Sequence, residues 1–198
     1  MKKDIKKLKE LSKVSAYLKQ YGIHSCKTFF HEKTQTCMDA RKEYEKHTEE
    51  LNEVGIKSYA IIKSILYSNK EGTEFYLCLT LDNKQIDSKK VKQALNLKCK
   101  LPVASYEQVE DILKVKPGNV SIFSLLNDTN NNISGVYVDP EIYEYDTIAI
   151  IPSYNEITMF LDCSIIDKVI DSHKIHFYDR IFYPIFEEQQ KQYKKDFA

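Results

Sequence analysis

Two runs of β-branched and aromatic residues, Tyr59-Ala60-Ile61-Ile62-Lys63-Ser64-Ile65-Leu66-Tyr67 and Glu74-Phe75-Tyr76-Leu77-Cys78-Leu79-Thr80-Leu81, flank a turn at residues 69–72. This composition on either side of an Asn- and Gly-containing turn predicts a β-hairpin. A sheet is therefore the first constraint on the fold. Lys63 is a charge inside the first apolar strand. It reads either as an outward-facing lysine on a half-exposed sheet or as a functional group.

Helical signals lie on both sides of this hairpin. Ile5, Leu8, Leu11, Val14, Tyr17, Leu18 and Tyr21 recur at three- and four-residue spacing, with Gly22 at a plausible position just past the end. Thr36 is placed to cap a second, strongly charged helix running to about Val54, where Gly55 stops it. Further helices are expected from Ser88 to Leu95, from Ser105 to about Leu113, and from Ser164 to Ile170, with a brief strand at 101–104. Strands are expected at 133–138, 147–151 and 156–161. The implied class is mixed α/β, a curved and mostly antiparallel sheet with peripheral helices. Residues 1–172 read as one domain and 173–198 as an aromatic and polar extension or linker.

With 198 residues the chain can bury roughly two-thirds of its unfolded surface, so neither disulfides nor a metal are needed to fold it. No run of 18 apolar residues occurs, and Met1-Lys2-Lys3-Asp4-Ile5 leads into an amphipathic segment. A cytoplasmic protein without membrane association is expected. Five cysteines (Cys26, Cys37, Cys78, Cys99, Cys163) are odd in number and never spaced C-x-x-C, so they read as reduced thiols. No motif requires a metal or other cofactor. The zero net charge hides a division: residues 1–116 carry 23 Lys and Arg against 16 Asp and Glu, a balance of +7, and residues 117–198 carry 6 against 13, a balance of −7. A basic half of this kind keeps a nucleic-acid partner open.

Two further patterns carry chemistry. Lys116-Pro117-Gly118 breaks the chain, and a Pro-Gly turn can present consecutive backbone N–H groups to an anion or a developing oxyanion, or simply stop a helix. Ile151-Pro152-Ser153-Tyr154-Asn155-Glu156-Ile157-Thr158 is a turn between strands that lines a pocket or merely connects them. The chain offers no Ser/His/Asp or Cys/His constellation for nucleophilic catalysis.

In this order the patterns resemble the YbaK/prolyl-tRNA editing family of aminoacyl-tRNA deacylases, related to the editing domain of prolyl-tRNA synthetase, from about Tyr17 to Ile170. Lys116-Pro117-Gly118-Asn119-Val120-Ser121-Ile122-Phe123-Ser124-Leu125-Leu126-Asn127-Asp128 is similar to the family's K-P-G-x-V-(S/T)-P-F-G-L-(L/I)-N-D. Ile62-Lys63-Ser64-Ile65-Leu66 resembles its strand with the functional lysine, Asn155-Glu156-Ile157-Thr158 its N-x-x-T turn, and 22–31 its segment ending in His31. Three departures stand out: Ile122 replaces a proline, Ser124 a glycine, and Ile151 a histidine.

The resemblance implies a deacylase that removes a wrong amino acid, alanine first and cysteine second, from tRNA(Pro). It would act in trans or as an appended domain of prolyl-tRNA synthetase. The alternatives are a non-catalytic tRNA-binding or synthetase-associated module and a hydrolase of another aminoacyl ester. On the resemblance, Lys63, Gly118 and Asn119 are the catalytic group, with residues 118–121 cradling the aminoacyl end. His31, Ser121, Ile122, Phe123, Ile151, Asn155 and Thr158 bind the substrate, Ile122 and Ile151 narrowing and drying the pocket. Lys89, Lys90, Lys114 and Lys116 contact the tRNA acceptor end, among a wider group that includes Lys84.

Overall fold

A computed structural model of the chain describes residues 2–34, 36–86, 89, 92, 101–173, 177–179 and 182–184, excepting the side chains of 2–7, 177–179 and 182–184. Of the helix expected from Ser88 to Leu95, Lys89 and Lys92 are described, both helical, and the rest, with Lys90, Cys99 and the tail from 185 onward, lies outside the described residues.

The hairpin is the centre of the molecule. β2 (Ala60–Ser68) and β3 (Phe75–Leu81) pair antiparallel with Lys63 opposite Thr80. Every residue of β3 is buried, which requires cover on both faces. Successive side chains of a strand point to opposite faces, and β3 divides accordingly. Phe75, Leu77, Leu79 and Leu81 enter the main core, whereas Tyr76 and Cys78 join a smaller cluster with Tyr67, Leu101 and Tyr137.

Around it run β1 (Lys27–Phe30), β5 (Ile133–Val138), β6 (Thr147–Ile150), β7 (Ile157–Asp162) and β8 (Phe177–Asp179), in the sheet order β1-β7-β6-β2-β3-β5-β8. β4 (Lys84–Ile86) and β9 (Phe182–Pro184) form a separate two-stranded ribbon. Antiparallel pairings outnumber parallel ones four to three. Residues beyond 173 thus supply a strand to the sheet edge and another to β4.

Helices α1 (Lys2–Gln20), α4 (Tyr106–Leu113) and α5 (Ile165–His173) bury Val14, Tyr17, Leu18, Val109, Leu113, Ile165, Ile166, Val169 and Ile170 in the main core. The other face receives α2 (Cys37–Glu45) and α3 (Thr48–Glu53), whose Ala40, Tyr44 and Leu51 cluster with Phe29, Ile61 and Phe160. Thr36 and Ser105 close reciprocal capping boxes with Asp39 and Gln108.

Three sequence expectations are corrected. The charged helix expected from Thr36 to Val54 is two helices, broken at His47, whose ring stacks on Phe29 at 4.5 Å. The break lets Tyr44 and Leu51 both reach the cluster around that ring. The four residues of β1, too few to show a period, were not expected as a strand. The segment 101–104 forms a single bridge, Val103 to Tyr67.

The polar end of the long motif is scaffold. Asn127 donates to the Leu113 carbonyl (3.1 Å) and accepts from Lys13 Nζ (2.5 Å), holding α4 and α1. The carboxylate of buried Asp128 accepts from the N–H groups of Asn132 (2.9 Å) and Ile133 (2.8 Å) and from Asn132 Nδ2 (2.7 Å), fixing the start of β5. Hydrogen bonds to a charged acceptor are worth ~1.5–3 kcal/mol, and a stranded buried donor costs a similar amount. Asp128→Ala should lower unfolding free energy in urea by about 2–3 kcal/mol; a loss under about 0.5 kcal/mol would show that the loop stands without it.

Candidate functional site

Lys63 lies on the face of β2 opposite the main core, between Ile61 of one small apolar cluster and Ile65 and Tyr67 of the other. The stem is half-buried, and its ammonium donates to the backbone carbonyl of Lys84. Burial draws the Lys63 pKa below the ordinary lysine value, opposed by the nearby Cys37 and Asp82. Asp82 is held by Arg41, whose Nε and Nη2 reach its carboxylate at 3.0 and 2.7 Å. The Cys37 thiol is pushed up by burial, with Lys63 pulling the other way. A thiol held protonated is a poor nucleophile.

The Pro-Gly loop has a defined shape. Gly118 sits at φ +85°, a conformation that side-chain-bearing residues rarely adopt, although a Cβ there would meet open space. The Asn119 N–H closes a turn onto the Lys116 carbonyl at 2.9 Å, and the Ser121 N–H donates to Ser124 Oγ at 3.0 Å. Among the described residues, the N–H groups of Gly118 and Val120 make no hydrogen bond. The cradle expected from all of 118–121 therefore reduces to these two donors. Ser124, where the family pattern has glycine, supplies the hydroxyl that occupies Ser121. Among the described residues, the fully buried Ser121 hydroxyl makes no hydrogen bond.

The loop is laced to two others. Asn119 Oδ1 accepts from the Asn155 N–H (3.3 Å), and Asn155 Nδ2 donates to the Thr34 carbonyl (2.6 Å). Thr34 returns two bonds to the Asn155 carbonyl, from its N–H at 3.3 Å and its hydroxyl at 3.2 Å. Residues 34, 119 and 155 thus join the approach to α2, the Pro-Gly loop and the turn before β7.

Beneath this lacing, Thr158 Oγ1 lies 2.9 Å from His31 Nε2 and 2.8 Å from the Tyr44 hydroxyl. His31 Nδ1 is 2.8 Å from the Glu32 carbonyl. A carbonyl only accepts, so in the neutral ring Nδ1 carries the proton and Nε2 accepts from Thr158; Tyr44 then donates to Thr158. The chain of bonds has one direction. Burial pushes the Tyr44 phenol up to about 12, so it keeps its proton.

The remaining candidates separate. Ile122 and Phe123 are 0% and 1% exposed and pack in the main core, whereas the expectation put Ile122 on a dry, apolar pocket wall. Ile151 is half-buried just past β6. Lys89, Lys114 and Lys116 are exposed. Lys84 is the correction among the basic residues: it is 3% exposed and bound to Asp139 (2.9 Å) and Glu141 (2.5 Å), so it is not available to a phosphate. Tyr44, Cys37 and Thr34 were missed as neighbours of the site, because each looks like an ordinary helix or loop residue. Among the described residues, no three His, Cys, Asp or Glu side chains gather as a metal site, and no helix is long and apolar enough to cross a membrane.

The family model of the aminoacyl-tRNA editing domain matches residues 42–167, well over half of the chain. The chain belongs to the aminoacyl-tRNA editing domain family. The match contains Lys63, the Pro-Gly loop and 155–158, and leaves His31 and Cys37 outside. This editing domain is 25% identical over 126 residues to the prolyl-tRNA editing protein ProX of Acetoanaerobium sticklandii, covering 63% of this chain and 76% of that one. Two solved structures share its fold. One is described as a candidate trans-editing enzyme for prolyl tRNA synthetase, with a TM-score of 0.57 and 15% identity over 86% of this chain and 95% of that one. The other is the hypothetical protein APE2540, with a TM-score of 0.59 and 13% identity over 86% and 99%.

Thr158 is the test of the site's internal order in this editing domain. Thr158→Val strands His31 Nε2 and the Tyr44 hydroxyl and should cost about 1–3 kcal/mol in denaturant unfolding, whereas Thr158→Ser should stay near the parent. Equal losses for the two would assign the effect to packing of the methyl group.

Proposed function

We propose that the protein is a deacylase of mischarged tRNA(Pro), with alanyl-tRNA(Pro) as its preferred substrate. The observation that carries this is the Asn119–Asn155–Thr34 lacing, which holds the Pro-Gly loop with its two unengaged N–H groups against the approach to α2. Cys37, at the start of that helix, lies within the field of Lys63. The family match and the similarity to a prolyl-tRNA editing protein support the same reading.

An aminoacyl ester is already activated, so an oriented water and a polarised carbonyl suffice without a covalent nucleophile. On this reading the Gly118 and Val120 N–H groups receive the ester oxygen as negative charge develops on it. Water adds to the carbonyl carbon, the carbon–oxygen bond to the ribose breaks, and the ribose hydroxyl leaves with a proton. Lys63 acts as a point charge on the phosphate or terminal nucleotide, and exposed Lys114 and Lys116 meet the acceptor end beside the loop. Binding of this kind weakens with salt. The protein acts either in trans or as part of prolyl-tRNA synthetase.

The need for such an enzyme is itself physical. A pocket built for proline rejects a smaller amino acid by only ~1–3 kcal/mol, because missing methylenes are worth little more. A second pocket too small for the prolyl ring supplies the rest. Ile151, where a histidine is usual, is the apolar wall assigned to it.

Incubation with alanyl-, cysteinyl- and prolyl-tRNA(Pro) should release alanine fastest and leave the prolyl ester at its spontaneous rate. Unchanged decay of all three esters would sink the deacylase reading in favour of a non-catalytic module. Lys63→Ala should lower kcat/KM by about 10²-fold; a fully active variant would remove Lys63 from the mechanism. The pH profile adds a signature. Burial lowers the Lys63 pKa, so its charge is lost at lower pH than an ordinary lysine's. The rate ratio of wild type to Lys63→Ala should therefore fall towards one before the usual lysine range is reached. A ratio constant up to that range would show that the charge is not what counts.

A further inference from the structure

Lys84 is a buried lysine that turns its ammonium away from the site and its carbonyl towards it. Its Nζ lies 3.1 and 2.9 Å from the two carboxylate oxygens of Asp139 and 2.5 Å from Glu141 Oε1. Asp139 is 1% exposed and fixed from three further sides. The Thr80 hydroxyl donates to its Oδ2 at 3.0 Å, the Glu141 N–H to its Oδ1 at 3.1 Å, and its own N–H to the Leu79 carbonyl at 3.0 Å. Thr80 stands directly opposite Lys63 across the hairpin. The ammonium of Lys63 donates to the backbone carbonyl of Lys84. Lys63, Thr80, Asp139 and Lys84 thus form a closed circuit of one cross-strand pair and three hydrogen bonds.

Such an arrangement needs a reason. A buried ion pair gives up the hydration of both charges, and an apolar pair of similar volume is often as stable. The carbonyl also matters for what it is not. The nearby Asp82 carboxylate is held by Arg41, and the group that Lys63 bonds directly is a neutral carbonyl, which fixes the ammonium and leaves its charge to act on a substrate anion. A lysine stem is otherwise flexible, and a misplacement of about 1 Å can cost ~10²-fold in rate.

We propose that the Lys84–Asp139 ion pair is a positioning device for the reaction: it locks the Lys84 carbonyl against β3 so that Lys63 is held in its working place. The role in catalysis rests on the deacylase reading; the positioning of Lys63 does not.

The double variant Lys84→Met/Asp139→Asn tests both. Met keeps the backbone carbonyl and the stem, Asn keeps an oxygen for the Glu141 N–H, and no lone charge is left buried. Thermal unfolding checks that the variant is folded. Pulse acetylation with acetic anhydride, read peptide by peptide in a mass spectrometer, reports the reactivity of Lys63 against exposed Lys114. The circuit predicts that Lys63 labelling rises at least about threefold relative to Lys114 and that kcat/KM for alanyl-tRNA(Pro) falls ~10- to 100-fold. Unchanged labelling in the folded variant overturns the positioning, and altered labelling with unchanged kcat/KM overturns its role in the reaction. Should the wild type deacylate no ester, the deacylase reading fails alone, and the labelling ratio still decides whether the ion pair places Lys63. If the double variant does not fold, Thr80→Val removes a single donor to Asp139 and is read by the same ratio, with the same direction expected and no change contradicting the proposal.

Discussion

The pairing of β2 with β3 is the interaction on which the rest of the molecule depends. Because β3 is buried on both faces, it forces helices α1, α4 and α5 onto one side and leaves the other to smaller clusters. The register that joins Ile62 to Leu81 also sets Lys63 against Thr80. A slip of β2 by one residue would send Lys63 into the main apolar core and carry Ala60, Ile62 and Leu66 to the opposite face. The placement of the lysine is therefore enforced by the same hydrophobic burial that makes the sheet.

The loops at 34, 118–121 and 155 are tied to one another by polar bonds. Asn119, Asn155 and Thr34 tie three chain segments together, and Thr158 joins β7 to His31 and to Tyr44 of α2. Two backbone donors in the Pro-Gly loop hold its own shape, and among the described residues the N–H groups of Gly118 and Val120 make no hydrogen bond. Cys37, the thiol near Lys63, is held protonated by burial and is a poor nucleophile. On the proposed reading the site offers fixed geometry, a partly desolvated cation and two oriented dipoles, the requirements for hydrolysing an ester that is already reactive.

Much of this was legible in the sequence where the signal is local. The hairpin follows from two β-branched runs around a turn, the capping residues Thr36 and Ser105 stand where their helices begin, and Lys116-Pro117-Gly118 marks the break at the loop. The features that were hidden depend on partners far along the chain. Lys84, in a lysine-rich stretch, reads as solvated until Asp139 is brought beside it. Ile122 reads as a pocket wall until the turn after Ser121 carries it into the core. The single helix expected over 36–54 breaks because Phe29, on another strand, draws both Tyr44 and Leu51 inward.

Lys63 and the Pro-Gly loop are proposed to form one site for an aminoacyl end. The most direct measurement is a two-dimensional NMR titration of the labelled protein with a non-hydrolysable amide analogue of 3′-alanyl-adenosine carrying a 5′-phosphate. A single shared site should make the amide signals of Gly118 and Val120 and the side-chain signals of Lys63 shift together along one binding curve, with α1 unmoved. Shifts confined to α1 or to other surfaces, or a response of Lys63 without the loop amides, would contradict it.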